Sequence, residues 1–437
     1  MTDPLNLIMA RELPNQISLT VVEVMIVVIL HATHLSSYNH ESKTLCVYAA
    51  DKATECSDLI LMFNCSECQP LSFYVQSVRK YFNSNVEIVF TVGNHCLSPP
   101  PGSAAVVNLT GVSNFTMKGL GNVTYNVLEE GATQPSSVIA CSCSQTKSAI
   151  LFYKSNTIHI ETLTIEDCGA KVVLPISQKT NFITVGALIF YESYDIELIR
   201  MRMNRNIEYG LFAEQVFGNF IISNSAFLRC VALPLSKKVN IGSNALISYK
   251  NYHHMTTNLL IEHSWFLYGG NKTDKPTGLS IVVYRPKVSV LISHIKAMYN
   301  IGGNIAIQVD DYQENTSSVT VNNSIIAHGS AAQGGGMNIH VEATQLWQHG
   351  TVNPKASLSV VEVLHTRFEN NSASDRGGGV FITQYERSVT DIIQRYISFK
   401  RCQFIGSLII QGRSLGDGAA VHIYNREIPE IALHVNP

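Results

Sequence analysis

The feature that most constrains this chain is an internal repeat. A six-residue unit with apolar ends and a polar third residue recurs nine times. From Ile165 onward its closing residues lie 24 to 42 residues apart. Periods of this size are typical of solenoids, in which each repeat packs mainly against its neighbours. The copies are VSNFTM (Val112–Met117), IETLTI (Ile160–Ile165), LIRMRM (Leu198–Met203), ISNSAF (Ile222–Phe227), IEHSWF (Ile261–Phe266), ISHIKA (Ile292–Ala297), VNNSII (Val321–Ile326), VLHTRF (Val363–Phe368) and FKRCQF (Phe399–Phe404).

A second unit alternates with the first. After each hexad from the second onward, a glycine opens a short apolar run rich in β-branched residues, and Ser148 takes this place after the first. Such runs are too brief for amphipathic helices and favour strands. We therefore predict a right-handed parallel β-helix of roughly nine to eleven coils, with about three strands per coil. The glycines are Gly186, Gly210, Gly242, Gly278, Gly303, Gly336, Gly379 and Gly418.

The third hexad position predicts a bend between two strands, because asparagine tolerates left-handed backbone and bonds to nearby backbone. Stacked along a solenoid, these side chains would form a polar ladder of structural residues. The small fourth residue, as in Ser225 and Ser264, would face inward. A metal site on His263 and His294 is the weaker alternative, since only Glu262 accompanies them and should point outward. The predicted ladder contains Asn114, Asn224, His263, His294, Asn323, His365 and Arg401.

The N-terminus indicates export. Ile17–Leu30 is an apolar run interrupted by Glu23, which is short for a bilayer span and resembles a signal-peptide core. We expect a signal peptide within residues 1–37, although a buried segment or an uncleaved anchor is the alternative. Residues 38–85 are expected to form a cysteine-rich cap, and residues 86–437 the β-helix, truncated at its C-terminus because no cap follows the last strand.

Cysteine usage supports an oxidising compartment. Nine of the ten cysteines lie before residue 231, which predicts a disulfide-stapled N-terminal region. A zinc site based on Cys65 and Cys68 is the alternative, but it lacks a second well-spaced pair unless Cys141 and Cys143 supply it. Within the cap, Leu71–Phe82 has apolar residues at helical spacing and predicts a short amphipathic helix that covers the first coil.

Eight N-x-S/T sequons also favour export and glycosylation. Asn114 carries one of them, but we expect it to stay unmodified because of its place in the ladder. The remaining candidates for glycosylation are Asn64, Asn108, Asn122, Asn271, Asn315, Asn322 and Asn370.

Two segments carry a resemblance to known families. Residues 86–122, with VGNHC and NFTMKG, resemble the opening coils of pectate-lyase-like β-helix proteins. Residues 368–382, FENNSASDRGGGVFI, are similar to repeats of polymorphic outer-membrane adhesins. The whole pattern, over roughly residues 86–425, also resembles large secreted β-helix proteins of invertebrates. The resemblance implies the architecture and is weak evidence for activity.

Enzymes of the resembling families cleave acidic polysaccharides with paired carboxylates. The only adjacent aspartates here are Asp310 and Asp311, just after the predicted strand Ile305–Val309. The G-H-G and R-I-K motifs of the resembling hydrolases are missing, and so are the phosphate-loop and nucleophile-elbow motifs. Asp310 and Asp311 are therefore weak catalytic candidates, and a solvated strand end is the more ordinary interpretation.

Charge narrows the choice of partner. Only 15% of residues are charged and the net charge is −2, so a nucleic-acid ligand is not expected. We expect a secreted, glycosylated structural or adhesive protein without cofactor or metal, whose loops contact an extracellular protein or carbohydrate. The alternative is an enzyme that binds or cleaves polysaccharides through a non-standard site in the long loops.

Overall fold

The computed structural model confirms a right-handed parallel β-helix. It describes residues 42–49, 52–98, 106–121, 136–143, 148–175, 181–230, 243–249, 257–270, 278–284, 288–311, 317–343, 360–386, 397–409, 420–425 and 435–436. The signal-peptide segment predicted for residues 1–37 lies outside these ranges. Residues from Lys43 onward form one compact unit, so the cap and the solenoid are continuous.

Three long parallel sheets run along the solenoid, and each coil contributes one strand to each sheet in the order sheet 1, sheet 2, sheet 3. Ten such coils are described, counted from Val86. Sheet 1 contains Lys43–Tyr48, Glu67–Pro70, Val86–Phe90, Ser113–Gly119, Asn156–Glu161, Tyr194–Ile199, Phe217–Ser223, Thr257–Glu262, Val288–Ser293, Ser318–Asn322, Val360–Leu364, Ile397–Lys400 and Val435–Asn436. Sheet 2 contains Gly93–Cys96, Ser137–Ala140, Leu163–Glu166, Arg202–Asn204, Ala226–Leu228, Trp265–Leu267, Lys296–Met298, Ile325–Ala327, Arg367–Glu369 and Gln403–Ile405.

Sheet 3 corresponds to the glycine-led runs of the sequence. Its strands are Val106–Thr110, Ala149–Tyr153, Asn181–Tyr191, Tyr209–Glu214, Ser243–Tyr249, Leu279–Val283, Ile305–Asp311, Met337–Ala343, Val380–Glu386 and Val421–Asn425. Ala170–Pro175 pairs antiparallel with the first half of the long strand Asn181–Tyr191. A short parallel sheet of Ser330–Gln333, Ser372–Arg376 and Leu408–Ile409 lies between sheets 2 and 3 in the last coils.

The glycines are needed where the chain enters sheet 3. A Cβ at Gly278 would collide with the carbonyl oxygen of Asn304, and one at Gly336 would collide with that of Gly379. Successive coils therefore approach each other too closely at this corner for a side chain.

The core is one continuous column of inward-facing apolar residues, as the period-two pattern requires. Aromatic rings stack along it from coil to coil. Phe152 and Phe190 lie 5.1 Å apart, Phe227 and Phe266 5.0 Å apart, measured between ring centroids. Each coil therefore buries its apolar face only against its neighbours.

The N-terminal cap contains three short helices instead of one. Cys56–Phe63 forms a helix that the sequence did not predict, and a single 3₁₀ turn precedes it at Ala53–Glu55. The predicted helix over residues 71–82 is divided into Leu71–Val75 and Val78–Tyr81. Leu71, Tyr74 and Val75 are buried, as the amphipathic pattern predicts.

Four disulfides join the cap and the first three coils. Their positions in an N-terminal cluster are those of a protein that folds in an oxidising environment. They also exclude the zinc alternative, since both of its cysteines are consumed. The pairs are Cys46–Cys65, Cys56–Cys68, Cys96–Cys143 and Cys141–Cys168, while Cys230 and Cys402 are free thiols.

Candidate binding surface

The third hexad residues lie at the corner between sheets 1 and 2, in left-handed backbone. Their φ values lie between 46° and 57° from Thr162 to Arg401. His263 and His294 stack with ring centroids 4.8 Å apart, and both are exposed. His365 Nδ1 lies 3.2 Å from Asn322 Oδ1, and Arg401 Nη1 lies 3.4 Å from His365 Nε2. Asn224 is half-buried, whereas Asn323, His365 and Arg401 are exposed.

Asn114 occupies a different corner from the rest of the ladder. The strand register pairs Ser113 with Asn156 and Phe115 with Ile158, which places Asn114 beside Thr157 where the chain enters sheet 1. Its amide Nδ2 donates to Asn85 Oδ1 at 2.9 Å, and both asparagines have positive φ. The hexad VSNFTM therefore begins at the corner between sheets 3 and 1. Its sequence resembles the repeat, but its strand register differs from that of the other copies, so the prediction that Asn114 belongs to the same ladder is wrong.

The fourth hexad residue faces inward. The Ser225 and Ser264 side chains are fully buried, and each hydroxyl donates to the carbonyl two residues earlier, at 2.8 and 2.7 Å. Ser264 Oγ also accepts the backbone N–H of Ser225 at 3.2 Å. These hydroxyls satisfy backbone groups that the tight corner leaves unpaired.

Sequence reasoning missed a second buried ladder, at the corner between sheets 2 and 3. The Asn244 amide donates to Asn300 Oδ1 at 3.1 Å, Asn300 donates to Asn304 Oδ1 at 2.8 Å, and Asn304 donates to Asn371 Oδ1 at 3.0 Å. All four side chains are fully buried. The sequence signal for this ladder is irregular: Asn300 and Asn371 each lie three residues after a hexad, whereas Asn244 and Asn304 follow the glycines that open sheet 3 strands.

The outer edge of that corner carries a stack of three rings, of which the two tyrosines are exposed and His328 is half-buried. Tyr268 and Tyr299 lie 5.1 Å apart at 6°, and Tyr299 and His328 lie 4.7 Å apart at 5°. The Arg229 guanidinium lies 5.9 Å from the Tyr268 ring centroid. Tyr268 is 39% exposed and Tyr299 is 38% exposed, so ring edges and hydroxyls remain accessible.

Further side chains adjoin these rings on the outer face of sheet 2. The Lys296 ammonium lies 4.5 Å from the Trp265 ring centroid, a cation–π contact. Trp265 and Met298 are half-buried and pack on a small apolar cluster of Ala226, Leu228 and Leu267. Indole, thioether and ammonium groups thus lie side by side on adjacent coils.

The strip has a marked charge asymmetry. Among the described sheet 2 strands of coils 4 to 8, acidic side chains are absent, and at the described corners of these coils the one acidic residue is Glu208, half-buried where coil 4 enters sheet 3. Further acidic residues lie at the ends, where Glu166 and Asp167 bind Arg205 and Glu369 binds Arg367. The strip, as we use the term, comprises Arg200, Arg202, Arg205, Arg229, His263, Trp265, Tyr268, His294, Lys296, Tyr299 and His328.

A separate charged cluster lies on the outer face of sheet 1. The Glu161 carboxylate binds Lys118 at 2.8 Å and Arg200 at 3.3 Å, and His159 Nδ1 lies 2.9 Å from Glu197 Oε2. Burial alone would raise the pKa of Glu161, but Lys118, His159 and Arg200 together hold it below its ordinary value. The hydrogen bond to Glu197 raises the pKa of His159 against the effect of burial. An ionised, fully paired Glu161 is suited to holding coils together and poorly suited to proton transfer.

The two aspartates named from sequence lie at the end of a sheet 3 strand. Backbone register pairs Asp310 with Glu342 and Asp311 with Ala343 on the next coil. Their side chains lie outside what the structure describes. Among the described side chains, a cluster of three or more metal-binding groups is not found.

The structure describes four of the seven glycosylation candidates. Asn64, Asn108 and Asn370 are exposed, and the Asn322 side chain is half-buried on sheet 1. The Thr110 hydroxyl donates to Asn108 Oδ1 at 2.7 Å. Asn122, Asn271 and Asn315 lie outside the described residues.

Comparison with known proteins adds no relative: a scan against family models finds no match, and searches of curated proteins and solved structures return none. The part of the chain that the structure describes contains no helix long and apolar enough to cross a membrane.

Proposed function

We propose that this protein is a non-catalytic extracellular binding rod, and that the strip on sheet 2 holds a carbohydrate along the solenoid. The observation that carries the proposal is the row of Trp265, Tyr268 and Tyr299 beside Lys296 on two adjacent coils of one rigid surface. Aromatic rings of this kind offer a large flat contact area with a polar group at one end, which suits a sugar ring with apolar faces and hydroxyl edges.

The geometry of the strip supports a polymeric ligand. Parallel strands repeat at about 4.8 Å, so equivalent side chains recur at that interval along the axis. Backbone hydrogen bonds and the buried ladders fix these side chains before any ligand arrives, which lowers the entropic cost of binding. A long ligand lying parallel to the axis would therefore make similar contacts on successive coils.

Export belongs to the same proposal. The four disulfides support an oxidising compartment, and the apolar run Ile17–Leu30 and the exposed sequons support secretion and glycosylation. We also propose a distant relation to pectate-lyase-like β-helices, supported by the three-sheet coil and the left-handed corner after sheet 1.

A second candidate, a polysaccharide-cleaving enzyme, is favoured by one observation. The register brings Asp310 and Glu342 to neighbouring positions on sheet 3. Paired carboxylates are what glycoside hydrolysis uses. Turnover of pectin, alginate or a glycosaminoglycan that is lost in both Asp310→Asn and Glu342→Gln would replace the binding rod with this enzyme.

The binding rod is tested on a glycan array with the secreted chain. Wild type should bind at least one polysaccharide, and Trp265→Ala should weaken that binding about tenfold or more, as loss of a stacking anchor does. Phe73→Ala is the matched control, because Phe73 lies in the cap and is 39% exposed, like Tyr268. Absence of binding by wild type, or equal loss in both variants, would contradict the proposal.

A further inference from the structure

The cap helix Cys56–Phe63 exposes three consecutive large apolar side chains. Leu61 is 85% exposed, Met62 is 71% exposed and Ile60 is 42% exposed. We call these three side chains the cap patch. Single apolar residues are ordinary on a protein surface, but a contiguous group of them marks a place that another molecule or group covers.

Two disulfides fix the orientation of this helix. The Cys56–Cys68 bond holds its first residue, and the Cys46–Cys65 bond holds the chain just after its end. Between these anchors Leu59 is buried in a small core that also contains Cys46 and Cys65. Rotation of the helix to bury the cap patch would therefore expose Leu59 and strain both bonds.

An N-glycosylation sequon adjoins the cap patch. It begins at Asn64, which ends the helix in left-handed backbone at φ 52° and has an exposed side chain. Residues three and four apart are neighbours on the surface of a helix, so Asn64 lies one turn from Leu61 and Ile60. A large group attached to Asn64 therefore reaches the cap patch without movement of the backbone.

We infer that an N-linked glycan on Asn64 covers the cap patch, an inference that rests on the proposed export and glycosylation. The co-substrate is a lipid-pyrophosphate oligosaccharide of the secretory pathway. A bond forms between Nδ2 of Asn64 and the anomeric carbon of the sugar, the lipid pyrophosphate leaves with the electron pair, and the amide loses one proton. The attached glycan is bulky and solubilising, and its tether holds it near the patch at an effective concentration of about 1 mM.

A second copy of the chain fits the cap patch less well than a glycan does. A stable protein interface buries about 800 Å² on each partner. This helix has eight residues and is therefore about 12 Å long. Exposed polar residues, Ser57 and Asp58, occupy its first turn. The patch is therefore too small for a stable dimer, whereas one glycan is large enough to cover it.

The test measures how fast hydrogen peroxide oxidises Met62 in the full chain secreted by cultured animal cells. Peroxide must reach the thioether sulfur, so a covering glycan slows formation of the sulfoxide, and peptide mass spectrometry reports both the sulfoxide and the glycan. We expect Asn64 to be glycosylated and Met62 to oxidise about twofold or more faster in Asn64→Gln than in wild type. Asn108→Gln removes another exposed sequon, in sheet 3, and should leave the rate unchanged.

Self-association supplies a second readout of the uncovered patch. In sedimentation equilibrium, the average mass of Asn64→Gln should rise with protein concentration, while that of wild type stays constant. Adding Leu61→Ser to Asn64→Gln should restore a constant mass, because it removes the most exposed apolar side chain of the patch.

The outcomes separate this inference from the export on which it rests. An unmodified Asn64 beside any glycosylated sequon, or equal Met62 rates in wild type and Asn64→Gln, would overturn the glycan cover and leave export intact. A chain retained in the cytosol without any glycan would overturn both. Flotation of wild type with phosphatidylcholine vesicles would assign the cap patch to a lipid surface and overturn the inference. If Asn64→Gln is not secreted, enzymatic removal of glycans from folded wild type should raise the Met62 rate by the same factor.

Discussion

The corner between sheets 2 and 3 is stabilised by different chemistry in the first three coils and in the later coils. In coil 3 the residue after the left-handed Asp167 is Cys168, which forms a disulfide with Cys141 of coil 2. In coils 7 and 9 the equivalent residues, after Tyr299 and Asn370, are Asn300 and Asn371 of the buried amide ladder. A covalent bond and a chain of amide hydrogen bonds thus occupy one structural position.

The two kinds of linkage meet between coils 3 and 4. The backbone N–H of Cys168 donates to Asn206 Oδ1 at 3.0 Å, so the last disulfide adjoins the first asparagine. The Asn206 amide in turn donates to Ile165 O at 3.1 Å. In coils 6 and 8 the equivalent position is glycine, and the N–H groups of Gly269 and Gly329 donate to the amide oxygens of Asn300 and Asn371 on the following coils.

The largest loss of stability is expected when the buried amide ladder is interrupted. Asn300 makes four side-chain hydrogen bonds, to Asn244, Gly269, Phe266 O and Asn304, at 2.7 to 3.1 Å. Asn300→Ala should lower the free energy of unfolding by about 4 kcal/mol, since it leaves several buried groups unpaired. Urea denaturation followed by circular dichroism measures this.

The exposed pair Asn258–Asn219 supplies the control for the amide ladder. Asn258 Nδ2 donates to Asn219 Oδ1 at 3.0 Å on the outer face of sheet 1. Asn258→Ala should change stability by less than about 0.5 kcal/mol. Similar losses for both variants would show that burial of the ladder is unimportant.

Removal of the Cys141–Cys168 disulfide should lower the free energy of unfolding somewhat less than Asn300→Ala does. Cys141 and Cys168 are 27 residues apart, and closing a loop of this size is associated with about 3 kcal/mol. The double variant Cys141→Ser, Cys168→Ser should therefore be less stable than wild type by that order under non-reducing conditions. An unchanged urea midpoint would indicate that packing alone holds coils 2 and 3 together.

The buried serine hydroxyls at the corner between sheets 1 and 2 are expected to contribute less to stability than the amide ladder or the disulfide. Ser264→Ala removes the acceptor of the buried Ser225 N–H and should cost about 1.5 kcal/mol. Ser289→Ala, an exposed serine on sheet 1, is the control. A stabilised Ser264→Ala variant would mean that the corner prefers an apolar residue, as Leu163 and Met201 occupy the equivalent place in coils 3 and 4.

The smallest effect concerns the ion network of coils 2 to 4. The folded pKa of His159 is raised, so its contribution is present below the unfolded value of 6.5 and is lost as pH rises through the folded pKa. The folded pKa of Glu161 is lowered, so its contribution is present above 4.5 and is lost as pH falls through the folded pKa. The network should stabilise most between these limits.

Hydrogen exchange can localise this effect. Strand amides of coils 2 to 4 should exchange faster at pH 8 than at pH 6 after correction for intrinsic rates, by less than about 1 kcal/mol in opening free energy. His159→Gln should remove the difference. A pH difference that persists in His159→Gln would assign it to other groups.

The sequence was sufficient to predict the architecture, because each strand repeats its apolar positions and each corner repeats its polar residue. His263 and His294 were expected about one strand spacing apart, and their rings stack at 4.8 Å. Asn114 shows the limit of this reasoning. Its hexad resembles the repeat, but the register is set by where the strand pairs, and that depends on residues in the neighbouring coil.

The candidate binding surface could not be predicted in the same way. Trp265 and Lys296 are the fifth residues of adjacent hexads, so the repeat makes them neighbours, but it does not show which outward positions combine into one surface. The cysteine pairs depend equally on three-dimensional proximity. The sequence did show which residue types recur at this corner, because arginine, tyrosine and histidine follow the hexads from Arg205 to His328.

The most direct measurement is hydroxyl-radical footprinting of the secreted chain, with and without a polysaccharide that the array identifies. We predict reduced oxidation of Trp265, Tyr268 and Tyr299 in the presence of the polysaccharide, and unchanged oxidation of Phe73, whose exposure matches that of the two tyrosines. Unchanged oxidation of all three strip residues, with the polysaccharide bound, would place the ligand elsewhere and contradict a binding surface on sheet 2.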